Sequence, residues 1–386
     1  MRTRNSGTRP IRLVDSTLRE GEQFAGVHFT PDDRIRMALA LDAFGVDELE
    51  LPSPAVSGAA AAELAQVLGL GLRASIRVHV RCHPQDIETA LATGARGLHL
   101  FLGASTERAA STSSWSEAGM ARQIRDSVEM ARAAGAFVRF SAEDAFRTPR
   151  RRLWTAFDAA VAAGAQRLGI PDTVGVATPG MVAAAVHGLT GRYPGLSYEF
   201  HGHNDTGCAV ANSLAAWRAG VDCLDVTVLG IGERVGITSL SGLMARLYTV
   251  DPAVVARYRL DQLPALDAEV AAICGVSIPF NQPLTGEHAF THVAGVHTDA
   301  VLRAPNTYEA IDPAVVGRSR VISVATRLTG RHAVADFASR LLGREVDSAE
   351  VGRATRALKG AAQGGRLEPK GVAGIVLAAV AVPGAE

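Results

Sequence analysis

Two histidines separated by a single glycine, His201 and His203 in Phe200-His201-Gly202-His203-Asn204-Asp205, follow the strand-like run Leu196-Ser197-Tyr198-Glu199. Alternate side chains of a β-strand share a face, so the two imidazoles point the same way and can share one divalent cation. Such a metal takes a third ligand. Near the start of the chain, Asp15-Ser16-Thr17-Leu18-Arg19-Glu20-Gly21-Glu22-Gln23 ends another apolar strand and is rich in carboxylates. One carboxylate from it completes a two-histidine, one-carboxylate site with positions left open for substrate. Each piece alone has a plainer reading. The histidines are then a hydrogen-bonded pair, Asp205 a helix cap and Arg19-Glu20 a surface pair. It is the set together that points to metal-assisted chemistry.

Side chains so distant in sequence need a scaffold that brings strand ends together. Short β-branched or apolar runs predict strands over 11–15, 48–51, 76–80, 97–102, 137–141, 167–170, 197–202 and 223–227. Ala-rich stretches between them predict helices over 31–44, 59–68, 86–93, 116–134, 150–163, 179–189 and 208–219, several ending at a glycine. This alternation argues for a (β/α)8 TIM barrel with a small, mainly helical C-terminal extension. An open doubly wound sheet would need a nucleotide-binding glycine loop after an early strand, and none is present. The polar clusters at 15–23, His79, 141–144, Asp172-Thr173 and 201–205 all follow strands, where barrel active sites lie.

The expected organisation is a disordered tail over 1–10, a catalytic barrel over 11–275, a linker or lid subdomain over 276–326 and a helical subdomain over 327–386. Within the later segments, 251–266 reads as helix, 279–294 as loop, and 327–342 and 348–362 as helices. Composition narrows the function further. Of 386 residues, 39 are Lys or Arg and 39 are Asp or Glu, a balance that argues against nucleic-acid binding. The apolar run over 371–382 is too short to cross a bilayer and reads as a packed helix. No Cys-x-x-Cys pair occurs among the four cysteines, which read as reduced thiols of a cytoplasmic protein. Trp115, Trp154 and Trp217 read as packing residues.

The two metal-site segments, together with Val138-Arg139-Phe140-Ser141-Ala142-Glu143-Asp144, Asp172-Thr173-Val174-Gly175, Gly230-Ile231-Gly232-Glu233-Arg234, Ala294-Gly295-Val296-His297 and Leu328-Thr329-Gly330-Arg331-His332, carry a resemblance. Over roughly residues 11–360 the chain resembles the metallolyase barrel superfamily, which includes isopropylmalate and citramalate synthases, and most of all the homocitrate synthases. The resemblance implies an acyltransferase that condenses acetyl-CoA, its co-substrate, with a 2-oxo acid, 2-oxoglutarate first among them. It implies a divalent metal (Mg, Mn, Zn or Co) on Glu20, His201 and His203, with Arg19 beside the reacting oxygen. Arg139, Ser141, Thr173, His79 and Gln23 would bind the 2-oxo acid. His297 would be the base, assisted by Tyr308 and Glu143, with His297 and Tyr308 lent to the neighbouring subunit of a homodimer with shared sites.

The match departs from the family at a few positions. Val235-Gly236-Ile237-Thr238 offers no asparagine where a metal-site asparagine is common. His99 stands where lysine-forming enzymes carry an acid, which favours a more anionic substrate tail. That motivates the alternative of a synthase acting on another anionic 2-oxo acid, such as phosphonopyruvate (2-phosphonomethylmalate synthase-like). From another class altogether, a non-catalytic metabolite-binding barrel would predict a broken ligand set, whereas Glu20, His201 and His203 all stand.

Overall fold

A computed structural model describes residues 9–105 and 116–381. It divides into two compact units, Met1–Ile278 and Pro279–Glu386.

In the first unit eight strands close in sequence order into a parallel barrel. They are β1 (Arg12–Asp15), β2 (Glu48–Leu51), β3 (Ser75–Arg81), β4 (Gly97–Gly103), β5 (Phe137–Glu143), β6 (Arg167–Asp172), β7 (Ser197–Gly202) and β8 (Cys223–Val226). After them come α1 (Pro31–Phe44), α2 (Gly58–Leu68), α3 (Pro84–Ala92), α4 (Glu117–Ala133), α5 (Arg150–Ala162), α6 (Pro179–Arg192), α7 (Ala209–Ala219) and α8 (Leu240–Val250). Local chemistry sets the helix starts. Thr30 and Asp33 form a reciprocal capping box around Pro31 at the head of α1. Ser116, Thr178 and Ser239 accept backbone N–H groups at the heads of α4, α6 and α8.

The helix expected over 251–266 is instead interrupted. A single turn, Pro252–Val255, precedes α9 (Leu263–Cys274). Tertiary bonds hold the break. Tyr258 Oη donates to the Ile11 carbonyl at 3.1 Å, and Arg257 holds the Asp47 carboxylate at 2.6 Å. The Arg259 N–H reaches the Phe44 carbonyl at 2.9 Å. These bonds to the residues just before β1 and β2 and to the end of α1 outweigh local helix propensity.

Period-two alternation explains the barrel wall. In β2, Leu49 and Leu51 are buried toward the helices while Glu48 and Glu50 turn inward. The same register turns His99, Arg139, Arg167, Glu199 and Asp225 inward. Where apolar layers usually fill such a barrel, this one holds a buried ion network. Arg167 donates to Glu48 at 2.7 Å and to Glu199 at 2.7 Å. Arg77 pairs with Glu48 at 2.7 Å, and Arg139 bonds both Glu199 and Glu50. Burial alone would push the Glu48 carboxyl up, but Arg167 and Arg77 hold it well below the usual carboxylate range.

Among its described residues the second unit carries a two-stranded parallel pair, β9 (Thr291–His292) and β10 (Val321–Ile322), and four α-helices. These are α10 (Gly295–Arg303), α11 (Arg331–Leu342), α12 (Ser348–Ala361) and α13 (Pro369–Ala381). Val334, Ala338, Leu358, Val372 and Val376 share its apolar core. The C-terminal apolar run is therefore a packed helix as far as Ala381, and residue 382 lies outside the described residues. Of the tail expected over 1–10, residues 1–8 lie outside them too, whereas Arg9 is tied to Asp222 at 2.5 Å. Trp115 is likewise outside. All four cysteines are free. Among the described residues no helix is long and apolar enough to cross a membrane.

Candidate metal centre and 2-oxo acid site

The segment after β1 and the end of β7 meet at the mouth of the barrel. His201 Nε2 and His203 Nε2 lie 3.3 Å apart, and His203 Nε2 is 3.9 Å from Glu20 Oε1. One donor atom from each of Glu20, His201 and His203 falls within 4.8 Å of the others. The protonation states suit a cation. Burial, then the Arg19 charge, pushes His201 down to about 4, and burial with the neighbouring His201 pushes His203 down to about 4. Both rings are neutral at pH 7, with lone pairs free for a metal. Against its burial, Arg19 and the two histidines hold the Glu20 carboxyl down at about 2. A convergent set of one carboxylate and two neutral imidazoles fits a divalent metal.

The backbone and inner wall orient these ligands. His201 Nδ1 lies 3.0 Å from Asp225 Oδ2 on β8, a contact that holds the ring with Nε2 toward His203. Asp225 is fully buried. Asp225→Asn is expected to weaken divalent-metal binding about 10–100-fold, as loss of such an outer carboxylate typically does. Calorimetric titration of the metal-stripped chain checks this, and undiminished affinity would remove Asp225 from the site.

Arg19 is the bridge from Glu20 to the interior. Its NH1 donates to Glu20 at 2.5 Å, and its Nε to Glu50 at 2.7 Å. Glu50, fully buried on β2, also accepts from Ser16 Oγ at 2.7 Å and His99 Nδ1 at 2.8 Å, and lies 3.3 Å from Arg139 NH2 and 3.4 Å from His79 Nδ1. One carboxylate on β2 thus holds groups from four other strands or strand ends, those of β1, β3, β4 and β5.

Two donors remain beside this network. Arg139 bonds Glu199 and Glu50, and among the described residues its buried Nε has no partner. Ser141 lies next to it. A Cβ at Gly169 would stand 2.0 Å from Ser141 Oγ and 3.4 Å from Arg139 Nε, so glycine there makes room for the Ser141 hydroxyl beside the Arg139 guanidinium. Thr173 Oγ1 accepts the Asp144 N–H at 2.9 Å, and Glu143 ends β5 close by in sequence. His79 stacks on Phe101, ring centroids 4.2 Å apart, and burial pushes it down to about 4. With Arg19 and Gln23 it lines a cavity of 820 Å³ that runs out past Leu51, Ser53 and Leu64.

His297 and Tyr308 belong to the second unit, where their rings lie 4.3 Å apart. Val235 is exposed and supplies no ligand. A second acid-histidine cluster, Glu48, His99 and Glu199, has donor atoms equally close, but Arg167 and Arg139 already neutralise its carboxylates. The sequence reading missed Glu50, Asp225, Glu199 and Arg167. Their signal was present in strands such as Glu48-Leu49-Glu50-Leu51, where acid alternates with leucine and every second residue must face the barrel axis.

Comparison with known proteins shows the family. The family model described as HMGL-like matches residues 10–270, and the one described as homocitrate synthase post-HMGL domain-like matches residues 284–366. The mitochondrial homocitrate synthase of Yarrowia lipolytica is 43% identical over 325 residues, 84% of this chain and 73% of that protein. The cytosolic isozyme of homocitrate synthase from Saccharomyces cerevisiae is 41% identical over 325 residues, 84% of this chain and 76% of that protein. Among solved structures, an HMG-CoA lyase from Bacillus subtilis matches with a TM-score of 0.62 at 19% identity, covering 70% of this chain and 96% of that one, a likeness of fold alone. The chain belongs to the HMGL-like family, in its homocitrate synthase branch.

Proposed function

We infer that this chain condenses acetyl-CoA with 2-oxoglutarate and, with one water, releases homocitrate and CoA. The observation that carries the reading is the meeting of Glu20, His201 and His203 with Arg19, which shares Glu50 with the buried Arg139 guanidinium. A divalent cation (Mg, Mn, Zn or Co) held by the first three would supply Lewis-acid polarisation of the keto group.

The chain's own residues do the rest. Arg139, Ser141 and Thr173 hold the carboxylates of the 2-oxo acid, with His79 at the distal end and Gln23 at the mouth. His297, assisted by Tyr308 and Glu143, takes a proton from the acetyl methyl group. The methyl carbon then bonds to the keto carbon, and the electron pair of the C=O moves to oxygen, where the fixed Arg19 guanidinium stabilises the charge. Water finally cleaves the thioester. His297 and Tyr308 serve the partner's barrel in a homodimer with shared sites, and the enzyme works in the cytoplasm. His99 offers little to a more anionic tail, because it is fully buried and bonded to Glu50.

Thiol release from acetyl-CoA, measured across a panel of 2-oxo acids that includes 2-oxoglutarate and phosphonopyruvate, tests this reading. Release is expected with 2-oxoglutarate, abolished by a chelator and restored by a divalent metal. Indifference to 2-oxoglutarate, or activity untouched by exhaustive chelation, would overturn it.

A further inference from the structure

The loop after β8 contributes no side chain to the site described above, yet it touches the site from two directions. Leu229, Gly230, Arg234 and Gly236 all lie at positive φ, 60°, 73°, 58° and 76°. For leucine and arginine this left-handed backbone is uncommon and must be held from outside. Gly232 packs directly on a metal-site carboxylate, since a Cβ there would stand 2.8 Å from Glu20 Oε1. The next residue, Glu233, donates its N–H to that same oxygen at 2.9 Å.

Arg234 supplies the outside hold. Its Nε and NH2 grip both oxygens of Asp205 at 2.7 and 2.9 Å, and NH2 also donates to the Thr173 carbonyl at 2.8 Å. Asp205 lies two residues past His203 on the β7 loop, and Thr173 follows β6. Three loops are therefore pinned by one planar guanidinium, a fork geometry that a lysine cannot reproduce.

We propose that Arg234 is a positioning residue for the metal and for the 2-oxo acid. Its bracket to Asp205 and Thr173 seats the Glu233 N–H on Glu20 and keeps that carboxylate facing His203, so affinity at the site depends on a guanidinium that touches neither ligand. The proposal rests on the reading of Glu20, His201 and His203 as metal ligands.

The test titrates the full-length, metal-stripped chain with Mn²⁺, reading free Mn²⁺ by electron paramagnetic resonance, in Arg234→Met, Arg234→Lys, Asp205→Asn and the Arg234→Met/Asp205→Asn double variant. Each variant is expected to bind Mn²⁺ about tenfold or more weakly, as removal of an outer support does at metal sites, with a raised KM for 2-oxoglutarate and near-native circular dichroism. The double variant should be little worse than Arg234→Met, because both substitutions open one bracket. Wild-type affinity in Arg234→Met, full rescue by lysine, or additive losses would each overturn the proposal. Should Arg234→Met fail to fold, Asp205→Asn reads the same bracket from its other side, and wild-type Mn²⁺ affinity there overturns it equally. Wild-type chain that binds no Mn²⁺, or binds it unchanged in Glu20→Gln, would instead sink the metal reading itself.

Discussion

Replacing Arg19 by lysine is expected to lower kcat about a hundredfold to a thousandfold while the chain stays folded, the usual cost of losing one fixed donor to a developing oxyanion. The charge survives but its placement does not. Arg19 reaches Glu20 through NH1 at 2.5 Å and Glu50 through Nε at 2.7 Å and NH2 at 2.6 Å. A lysine ammonium is a single point on a flexible stem and cannot span both carboxylates. Steady-state kinetics beside a circular dichroism melt separates the outcomes. An unchanged kcat in a folded Arg19→Lys chain would remove Arg19 from the chemistry.

Arg167→Met is expected to act on stability, by about 3–5 kcal/mol, the typical cost of breaking a buried ion pair from one side. Arg167 is 1% exposed and donates to Glu48 through both terminal nitrogens and to Glu199 through one. Methionine fills much of the volume but leaves two buried carboxylates short of a partner. The midpoint of urea unfolding should fall with its slope unchanged. A midpoint equal to wild type would mean that water or Arg77 and Arg139 already compensate.

Much of the barrel was readable because its outer face obeys simple periodicity. The strand 48–51 and the helix 31–44 coincide with β2 and α1, since a Leu-x-Leu alternation and a Thr-Pro-x-Asp cap are local signals. The meeting of two of the three side chains proposed for the metal was also readable, because His201-Gly202-His203 sets both at the end of β7, His201 within the strand and His203 one residue beyond it. The inner network was not. Arg167 and Glu199 look like ordinary polar residues until closure of the sheet brings β2, β6 and β7 around one axis, a non-local fact. The break at 256–259 was hidden for the same reason. Tyr258 and Arg257 are held by Ile11 and Asp47, more than two hundred residues earlier, and no local propensity records that bond.

Glu50 has a consequence for chain length. On the proposed reading Arg19 faces the keto oxygen, Arg139 holds a carboxylate of the 2-oxo acid and His79 stands at its distal end, and all three converge on this single side chain of β2. The two jaws of the site are thereby fastened to one anvil and cannot slide apart or together independently. On that reading the enzyme would measure its substrate as a fixed gauge does: an acid one methylene shorter or longer would fit one jaw and miss the other, with selectivity following from the spacing that Glu50 sets.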